Sequence, residues 1–469
     1  METPDRDKPS TKSPIGTVIE TVNFIAPKTP IQTQIVELWQ DILGVRVGID
    51  DNFFELGGDS IKAARFFNRL QEKWGGIFYI VSLFEAPTVA EFEAYLHKYY
   101  PELVSQILGI SASQNSTVSR PKIDSSKIQQ LRQLIRPLPP RSPSLLPQKN
   151  SSTCFILSAP RSGSTLLRII LAGHPQLFAP PQLCLLQFNT LADRKNALGG
   201  EYRFWQEGAI QAIKQIENCS SERAIEQMQQ LEAQQLTTQE FYQWLQQRLK
   251  NKLLVDKTTT YPLNLSTLQR AETDFKNPIY IHLQRHPYGA IHSFEEAKLD
   301  LTLAPFIPQL KDRDNFPFDR REIAELLWLI SNQNILDFLQ TVPQHRQYSL
   351  QFENLVTQPK NTIANLCQFL GFDFHPEMLQ PYVDRQRKMT EGLNSQSGML
   401  GDLKFYQHNS INPKVADDWK NRYSFDFRGA DSGSRSLFEL HANNFNTGGT
   451  RGWRTVIRLT RFCGFSSCF

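Results

Sequence analysis

Residues 153–172 read TCFILSAPRSGSTLLRIILA. An apolar run, Phe155 to Leu157, meets a short polar turn, and a helical apolar pattern, Leu166 to Ala172, follows at once. A strand joined so tightly to a helix belongs to an α/β layer with a parallel sheet. Further apolar runs at 252–255, 279–283 and 347–352 read as strands. Amphipathic runs at 164–173, 221–250 and 321–341 read as helices, so the α/β pattern extends from Thr153 to about Phe427. In the Gln-rich stretch 224–247 the apolar residues keep helical spacing, which makes the glutamines a solvated helix face.

The turn itself has the chemistry of an anion site. Successive N–H groups between a strand and a helix form a nest, and the helix beginning near Ser164 adds its positive end. Gly163 permits close backbone approach, Ser162, Ser164 and Thr165 offer hydroxyls, and Arg161 offers a permanently charged fork. A nucleoside triphosphate loop needs a longer frame and a lysine, so a single phosphate without metal fits better. A polar turn that merely caps its helix is the competing reading. A second stretch, IYIHLQRHPYGAIHSF, places Arg285 after a strand and Ser293 eight residues later, about two helical turns on. Those two side chains could clasp another phosphate.

A separate block lies upstream. TPIQTQIVELWQDILG is an amphipathic helix, and DNFFELGGDSIKAARFFNRL breaks at Gly57-Gly58 before a helix with Ile61, Ala64, Phe67 and Leu70 on one face. VSLFEAPTVAEFEAYL supplies two more helical pieces. Ser60 thus stands exposed at a helix start, where Asp-Ser is also a common N-cap. Between the blocks, a Ser-, Gln- and Pro-rich stretch ending RPLPPRSPSLLPQKNSS reads as a linker with a short helix at Ser125 to Ile135. The division expected is a flexible segment 1–27, a helical domain 28–98, a linker 99–150, an α/β domain 151–427 and an atypical, poorly ordered tail 428–469.

Bulk properties narrow the function classes. A net charge of +4 over 469 residues argues against nucleic acid, no apolar run spans a bilayer, and the charged start METPDRDKPSTKS has no secretory core. Cys154, Cys184, Cys219, Cys367, Cys463 and Cys468 are sparse and fit no disulfide framework or zinc spacing, as expected of reduced cytoplasmic thiols.

DNFFELGGDS strongly resembles the core of the peptidyl carrier domains of nonribosomal peptide synthetases. The resemblance covers about 28–98 and implies a small four-helix bundle. It also implies a 4′-phosphopantetheine arm on Ser60, placed by a phosphopantetheinyl transferase, with upstream or downstream synthetase modules as partners. Arg161, Ser162, Gly163, Ser164 and Thr165, together with Arg285 and Ser293, resemble the two phosphate motifs of sulfotransferases that use 3′-phosphoadenosine 5′-phosphosulfate (PAPS). That resemblance covers about 153–427 and implies a P-loop-like α/β fold. The first motif would grip the 5′-phosphosulfate and the second the 3′-phosphate. LVDKTTTYP and YSLQFENLV are similar to the branch that includes tyrosylprotein sulfotransferases and megasynthase modules. By that likeness Lys257 lies near the sulfuryl group, with Thr259 where a proline is usual. GMLGDLK, 398–404, is similar to a late loop of the family, but Gln396-Ser397 replaces its preceding Arg-Lys.

The implied reaction moves a sulfuryl group from PAPS to a hydroxyl of a carrier-bound substrate in natural-product assembly. It needs in-line approach, positive charge on the leaving phosphate and a base for the hydroxyl proton. Arg161, the N–H groups of 162–165 and Lys257 supply the charge, and no metal is required. The base is less clear. Aligned on Arg161 and His174-Pro175, the glutamate of the tyrosylprotein branch falls on Gln182. Related modules read PPELHLL where this chain reads PPQLCLL, so Cys184 also replaces a histidine. Either another residue takes the proton or the module is degenerate, with a binding or scaffold role. His282 points into the site or into the core, and its apolar neighbours favour the core. His174, His286, His292, Asp256, Glu353, Trp205 and Trp328 read as structural. A nucleotide kinase is disfavoured by the absent lysine.

Overall fold

The computed structural model describes residues 24–75, 78, 81–109, 123–140, 148–393, 405 and 408–421. Residues 1–23, the C-terminal tail and the 398–404 loop lie outside the described residues. The N-terminal region is helical: α1 (Pro30–Leu43), α2 (Ser60–Trp74), α3 (Val81–Glu85), α4 (Val89–Tyr99) and α5 (Pro101–Ile107), followed by α6 (Ser125–Leu134). An α/β region follows, with β1 (Thr153–Leu157), α7 (Ser164–Ala172), β2 (Leu177–Phe178), α8 (Leu191–Ala197), α9 (Glu207–Glu217), α10 (Ser221–Ala233), α11 (Thr238–Arg248) and β3 (Leu253–Lys257). It continues through α12 (Leu265–Asp274), β4 (Ile279–Gln284), α13 (Pro287–Ala297), α14 (Arg320–Leu339), β5 (Gln347–Gln351), α15 (Phe352–Thr357) and α16 (Pro359–Leu370). The chain divides into two compact units, 1–59 with 86–111, and 60–85 with 112–469.

In the first unit α1 starts on Thr29, whose hydroxyl accepts from Gln32 N, and ends on Gly44 at φ 75°. Both are ordinary helix punctuation. α4 opens with a reciprocal capping box between Thr88 and Glu91. Ile31, Ile35, Trp39, Phe53, Phe92 and Leu96 are buried, and the rings of Trp39 and Phe53 meet edge-on at 4.9 Å. Residues 101–107, inside the stretch expected to be linker, form α5 instead: Pro101 occupies its first turn and Val104 is buried.

In the second unit five parallel strands run in the order β2-β3-β1-β4-β5. β1 is central, with Ile156 beside Lys257 of β3 and Leu157 beside His282 of β4. Its side chains alternate between two cores. Phe155 and Leu157 join a cluster with Phe241, Tyr242 and Tyr280; Cys154 and Ile156 join one with Leu167, Ile170, Leu171, Ile281 and Leu350. Each such apolar side chain contributes about 1.5–3 kcal/mol. This alternation clamps β1 from both faces and fixes the turn after it. Chain order reverses around β1, and its C-terminal edge is where sheets of this kind hold ligands. The helix expected at 221–250 is two helices. Gln235 at φ 58° breaks it, and a capping box of Thr237 with Glu240 starts α11. Among the described residues no helix is long and apolar enough to cross a membrane.

Candidate active site

The turn after β1 is built from unusual backbone. Arg161 has φ 65° and Gly163 φ 87°, both left-handed. Gly163 N-caps α7 and no side chain caps the helix start, so the first N–H groups of α7 face the turn. A Cβ on Gly163 would enter the ring of Phe352. The same ring carries the guanidinium of Arg285, 4.4 Å from its centroid, within cation–π range. Ser162 and Ser164 are buried.

The two phosphate motifs, separate in sequence, converge here. Arg161 Nε donates to Ser293 Oγ at 3.0 Å, and Arg285 Nη1 donates to the Arg161 carbonyl at 2.9 Å. Arg285 follows β4 and Ser293 lies on α13, so the parallel pairing of β1 with β4 brings the motifs together. Trp328 Nε1 donates to the Arg285 carbonyl at 3.3 Å, and the ring of His286 stacks on Trp419 at 4.1 Å. Glu353 accepts the His286 N–H at 2.9 Å; burial raises its carboxyl, partly offset by this bond and by the charge of Arg285.

Lys257 ends β3, on the other side of β1, and is 3 % exposed. The segment carrying Gln182 packs against the residues that follow it. Gln182 Oε1 accepts from both Thr259 N (3.2 Å) and Thr259 Oγ1 (3.0 Å). A carboxylate oxygen would satisfy the same two donors. Cys184 adopts φ 52° and donates its N–H to Thr258 Oγ1 at 3.2 Å; burial pushes its thiol up to about 12, too high for a neutral-pH base. Asp256 is held by both Tyr242 Oη and Tyr261 Oη and by Thr258 Oγ1 at 3.1 Å. Burial raises this carboxyl, offset by those bonds and by Lys257. Tyr261 Oη in turn accepts the N–H groups of Leu185 (2.9 Å) and Leu186 (3.3 Å). One buried network therefore fixes the Gln182 segment to the end of β3.

The remaining candidates are engaged elsewhere. His282 is 1 % exposed, with Nε2 at 3.2 Å from Asn332 Oδ1 and Nδ1 at 3.2 Å from Gln284 Nε2. Burial lowers its ring to about 4, against a smaller upward effect of Asn332. His174 accepts the Gln176 N–H on Nδ1 at 3.1 Å, and its Nε2 lies 3.0 Å from the Asp373 carbonyl. His292 lies 3.2 Å from Glu296, and Trp205 Nε1 donates to the Thr302 carbonyl at 3.1 Å.

In the helical region Gly57 has φ 86°, and a Cβ on Gly58 would enter the ring of Phe53. The turn delivers the chain into α2, which begins at Ser60. The expected exposure of the Ser60 side chain lies outside what is described. Sequence reasoning missed Phe352, read as the last residue of a strand, and the Tyr242–Tyr261–Asp256 network. Two tyrosines 19 residues apart give no local sign of sharing one carboxylate.

Comparisons with known proteins agree with this architecture. The profile of the sulfotransferase family matches residues 154–376, and that of the phosphopantetheine attachment site matches 33–96. The sulfotransferase domain from the curacin biosynthetic pathway is 34% identical with a TM-score of 0.55; the match covers 64% of this chain and 99% of that one. The sulfotransferase domain of the Synechococcus PCC 7002 olefin synthase is 33% identical with a TM-score of 0.52, over 66% of this chain and 99% of that one. A dimodular nonribosomal peptide synthase of Bacillus subtilis (strain 168) is 47% identical over 77 residues, 16% of this chain, and tyrocidine synthase 2 of Brevibacillus parabrevis is 35% identical over 91 residues, 19% of this chain. The chain spans only 3% and 2% of those two synthases. Sheet, turn and relatives lead to one assignment: the chain belongs to the sulfotransferase family, its sulfotransferase domain following a phosphopantetheine carrier domain.

Proposed function

We propose that this protein transfers the sulfuryl group of PAPS to a hydroxyl of an intermediate tethered to its own carrier domain, within a cytoplasmic natural-product assembly line. The supporting observation is the junction of Arg161, Arg285 and Ser293 at the C-terminal ends of β1 and β4, on a chain that also carries a phosphopantetheine site. In this reading the N–H groups of 162–165 and Arg161 hold the 5′-phosphosulfate, and Arg285 with Ser293 holds the 3′-phosphate. The acceptor oxygen attacks sulfur, the bond from sulfur to the 5′-phosphate breaks, and its electron pair leaves on adenosine 3′,5′-bisphosphate. Lys257 and Arg161 meet the charge growing on that phosphate.

Ser60 receives the 4′-phosphopantetheine arm from a phosphopantetheinyl transferase. The left-handed Gly57 and the Phe53-packed Gly58 precede that residue in the chain, Ser60 begins α2, and a helix start suits a phosphodiester. The arm supplies a thiol that carries the acyl group and raises its local concentration. Neighbouring synthetase modules would load and unload it. The test is direct: load Ser60 with a panel of 3-hydroxyacyl arms, add PAPS and weigh the intact protein. Gain of one sulfate supports the reading; no gain across the panel, with adenosine 3′,5′-bisphosphate still bound, overturns it.

A second reading, a degenerate module that binds and presents cargo, is favoured by one observation: Gln182, an amide, occupies the two donors of Thr259 where a carboxylate would sit. Restoring Gln182→Glu discriminates. A large rise in turnover from a near-inactive parent supports degeneracy, and an unchanged, measurable rate excludes it.

A further inference from the structure

The carrier profile runs over residues 33–96, yet the boundary between the two compact units falls inside it. Residues 60–85, the part that begins with Ser60, belong to the unit of the sulfotransferase domain. Within that unit α3 packs on two short 3-10 turns, Gly200–Gln206 and Leu299–Thr302. Glu85, the last residue of α3, meets Arg313: Arg313 Nη1 donates to Glu85 Oε2 at 2.7 Å across 228 residues of chain. The Arg313 and Glu85 side chains are 9 % and 28 % exposed. A pair so far withdrawn from water is unlike a loose surface contact, and reversing one of its signs is costly.

Arg313 is held for this bond, since its Nη2 donates to the Leu301 carbonyl, inside the second turn, at 3.3 Å. Trp205 Nε1 joins the two turns through the Thr302 carbonyl at 3.1 Å. The buried Tyr202 of the first turn lies within the field of both charges. Burial raises its hydroxyl, Glu201 and Glu85 raise it further, and Arg313 opposes them. The other side of the first turn is tied to the candidate active site. Arg194, fully buried, donates from Nη2 to the carbonyls of Trp205 and Gln206 at 3.2 Å each and from Nε to the Leu183 carbonyl at 2.9 Å. A Cβ on Gly208, two residues past this turn, would meet the Gln182 carbonyl oxygen at 2.1 Å. The platform under α3 is therefore built onto the segment that bonds Thr259, just after Lys257.

We propose that the Arg313–Glu85 pair, with the turns 200–206 and 299–302, is the docking surface through which the sulfotransferase domain receives its own carrier, so that a tethered acceptor is preferred to the same acyl group free in solution. The inference rests on the sulfuryl-transfer reading and names the element recognised, an acidic side chain at the end of α3. A carrier with a cation at that place is refused by Arg313.

The experiment uses the full chain, PAPS as donor and two acceptors. One is a 3-hydroxyacyl arm on Ser60, read as sulfate gain by intact mass per loaded chain. The other is the same acyl group as a free pantetheine thioester, given to chain with Ser60 unloaded. Arg313→Glu and Glu85→Arg each slow sulfation of the tethered arm about tenfold, while the rate on the free thioester and adenosine 3′,5′-bisphosphate binding stay close to wild type. Glu85→Arg leaves every residue of the sulfotransferase domain in place, so its loss is one of docking. The double variant Arg313→Glu, Glu85→Arg restores opposite charges and regains most of the rate. Tethered rates within about twofold of wild type in both single variants overturn the inference and leave the sulfotransferase reading standing. So does an equal fall on both acceptors, which marks a structural role, and so does a double variant no faster than the single ones. A wild type that sulfates only the free thioester overturns the tethered reading and the inference with it. A wild type that sulfates neither acceptor overturns both.

Discussion

Two turns in this chain lead into helices at which a phosphate is expected, one before α2 and one before α7. Each contains a left-handed glycine, Gly57 at φ 86° and Gly163 at φ 87°, and each has a glycine against which a phenylalanine ring is packed. In the helical region the ring is Phe53, five residues before Gly58. In the sulfotransferase domain it is Phe352, 189 residues after Gly163 and just past the edge strand β5. The first turn is made locally. The second takes its final shape only when the whole sheet has assembled, since Phe352 is positioned by β5 and itself supports both Gly163 and Arg285. A covalent site needs one serine presented at one helix start. A reversible nucleotide site needs several donors placed from distant strands.

The largest effects separate the two sites by chemistry. Ser60→Ala abolishes phosphopantetheine loading outright, read as no mass gain with a transferase and coenzyme A, and leaves adenosine 3′,5′-bisphosphate binding unchanged. Ser164→Ala is its counterpart and removes one hydroxyl among several donors. The expected loss is about 1 kcal/mol, roughly fivefold in Kd. A Ser164→Ala effect as complete as that of Ser60→Ala would break the distinction between a single attachment point and a distributed cradle.

The glycines test the packing. Gly163→Ala meets both a left-handed backbone and the Phe352 ring, at an expected loss of about 2–4 kcal/mol from strain and overpacking. Because Phe352 carries Arg285, bisphosphate affinity should fall with it. Gly58→Ala meets Phe53 and should lower the stability of the helical region by about 1–3 kcal/mol without touching bisphosphate affinity. Phe352→Leu gives a smaller effect, about 1 kcal/mol in affinity, through the lost ring under Arg285. If Phe352→Leu relieved Gly163→Ala in a double variant, the coupling between ring and turn would be measured directly.

Legibility follows the same division. Gly57, Gly58 and Ser60 stand within four residues and their packing partner within eight, so the carrier turn could be read as a local pattern. Arg161 and Arg285 could be read as motifs because each sits at a strand-to-helix step, with Ser293 inside the helix that follows the second. Their meeting through the Arg161–Ser293 bond depends on β1 and β4 being neighbours, which no local signal states. Lys257 was singled out by likeness, whereas the tyrosines that hold the adjoining Asp256 carried no local sign. The buried Oε2 of Glu207 was invisible, since the residue opens a helix in a stretch with no motif. Burial and long-range packing decide such residues, and a linear pattern carries neither.

The smallest expected effect concerns a third helix start, that of α9, and it sharpens the contrast with the two turns. The positive end of a helix favours a carboxylate in its first turn, yet burial overrides this at Glu207 and lifts its carboxyl from the ordinary 4.5 to about 8. Between those values the unfolded chain releases the proton while the folded chain keeps it, so folding stability declines as pH rises across that window. Below about 4.5 both states are protonated and nothing is lost; above about 8 the full penalty of a buried charge is present. Glu207→Gln, which stays neutral, should match the wild type in stability at pH 4 and exceed it at pH 9. Because part of the side chain still reaches water, the gain is about 1 kcal/mol, or about 1–2 °C in a protein of this size. A melting-temperature difference independent of pH would mean that the Glu207 carboxyl titrates alike in the folded and the unfolded chain, and that burial does not govern it.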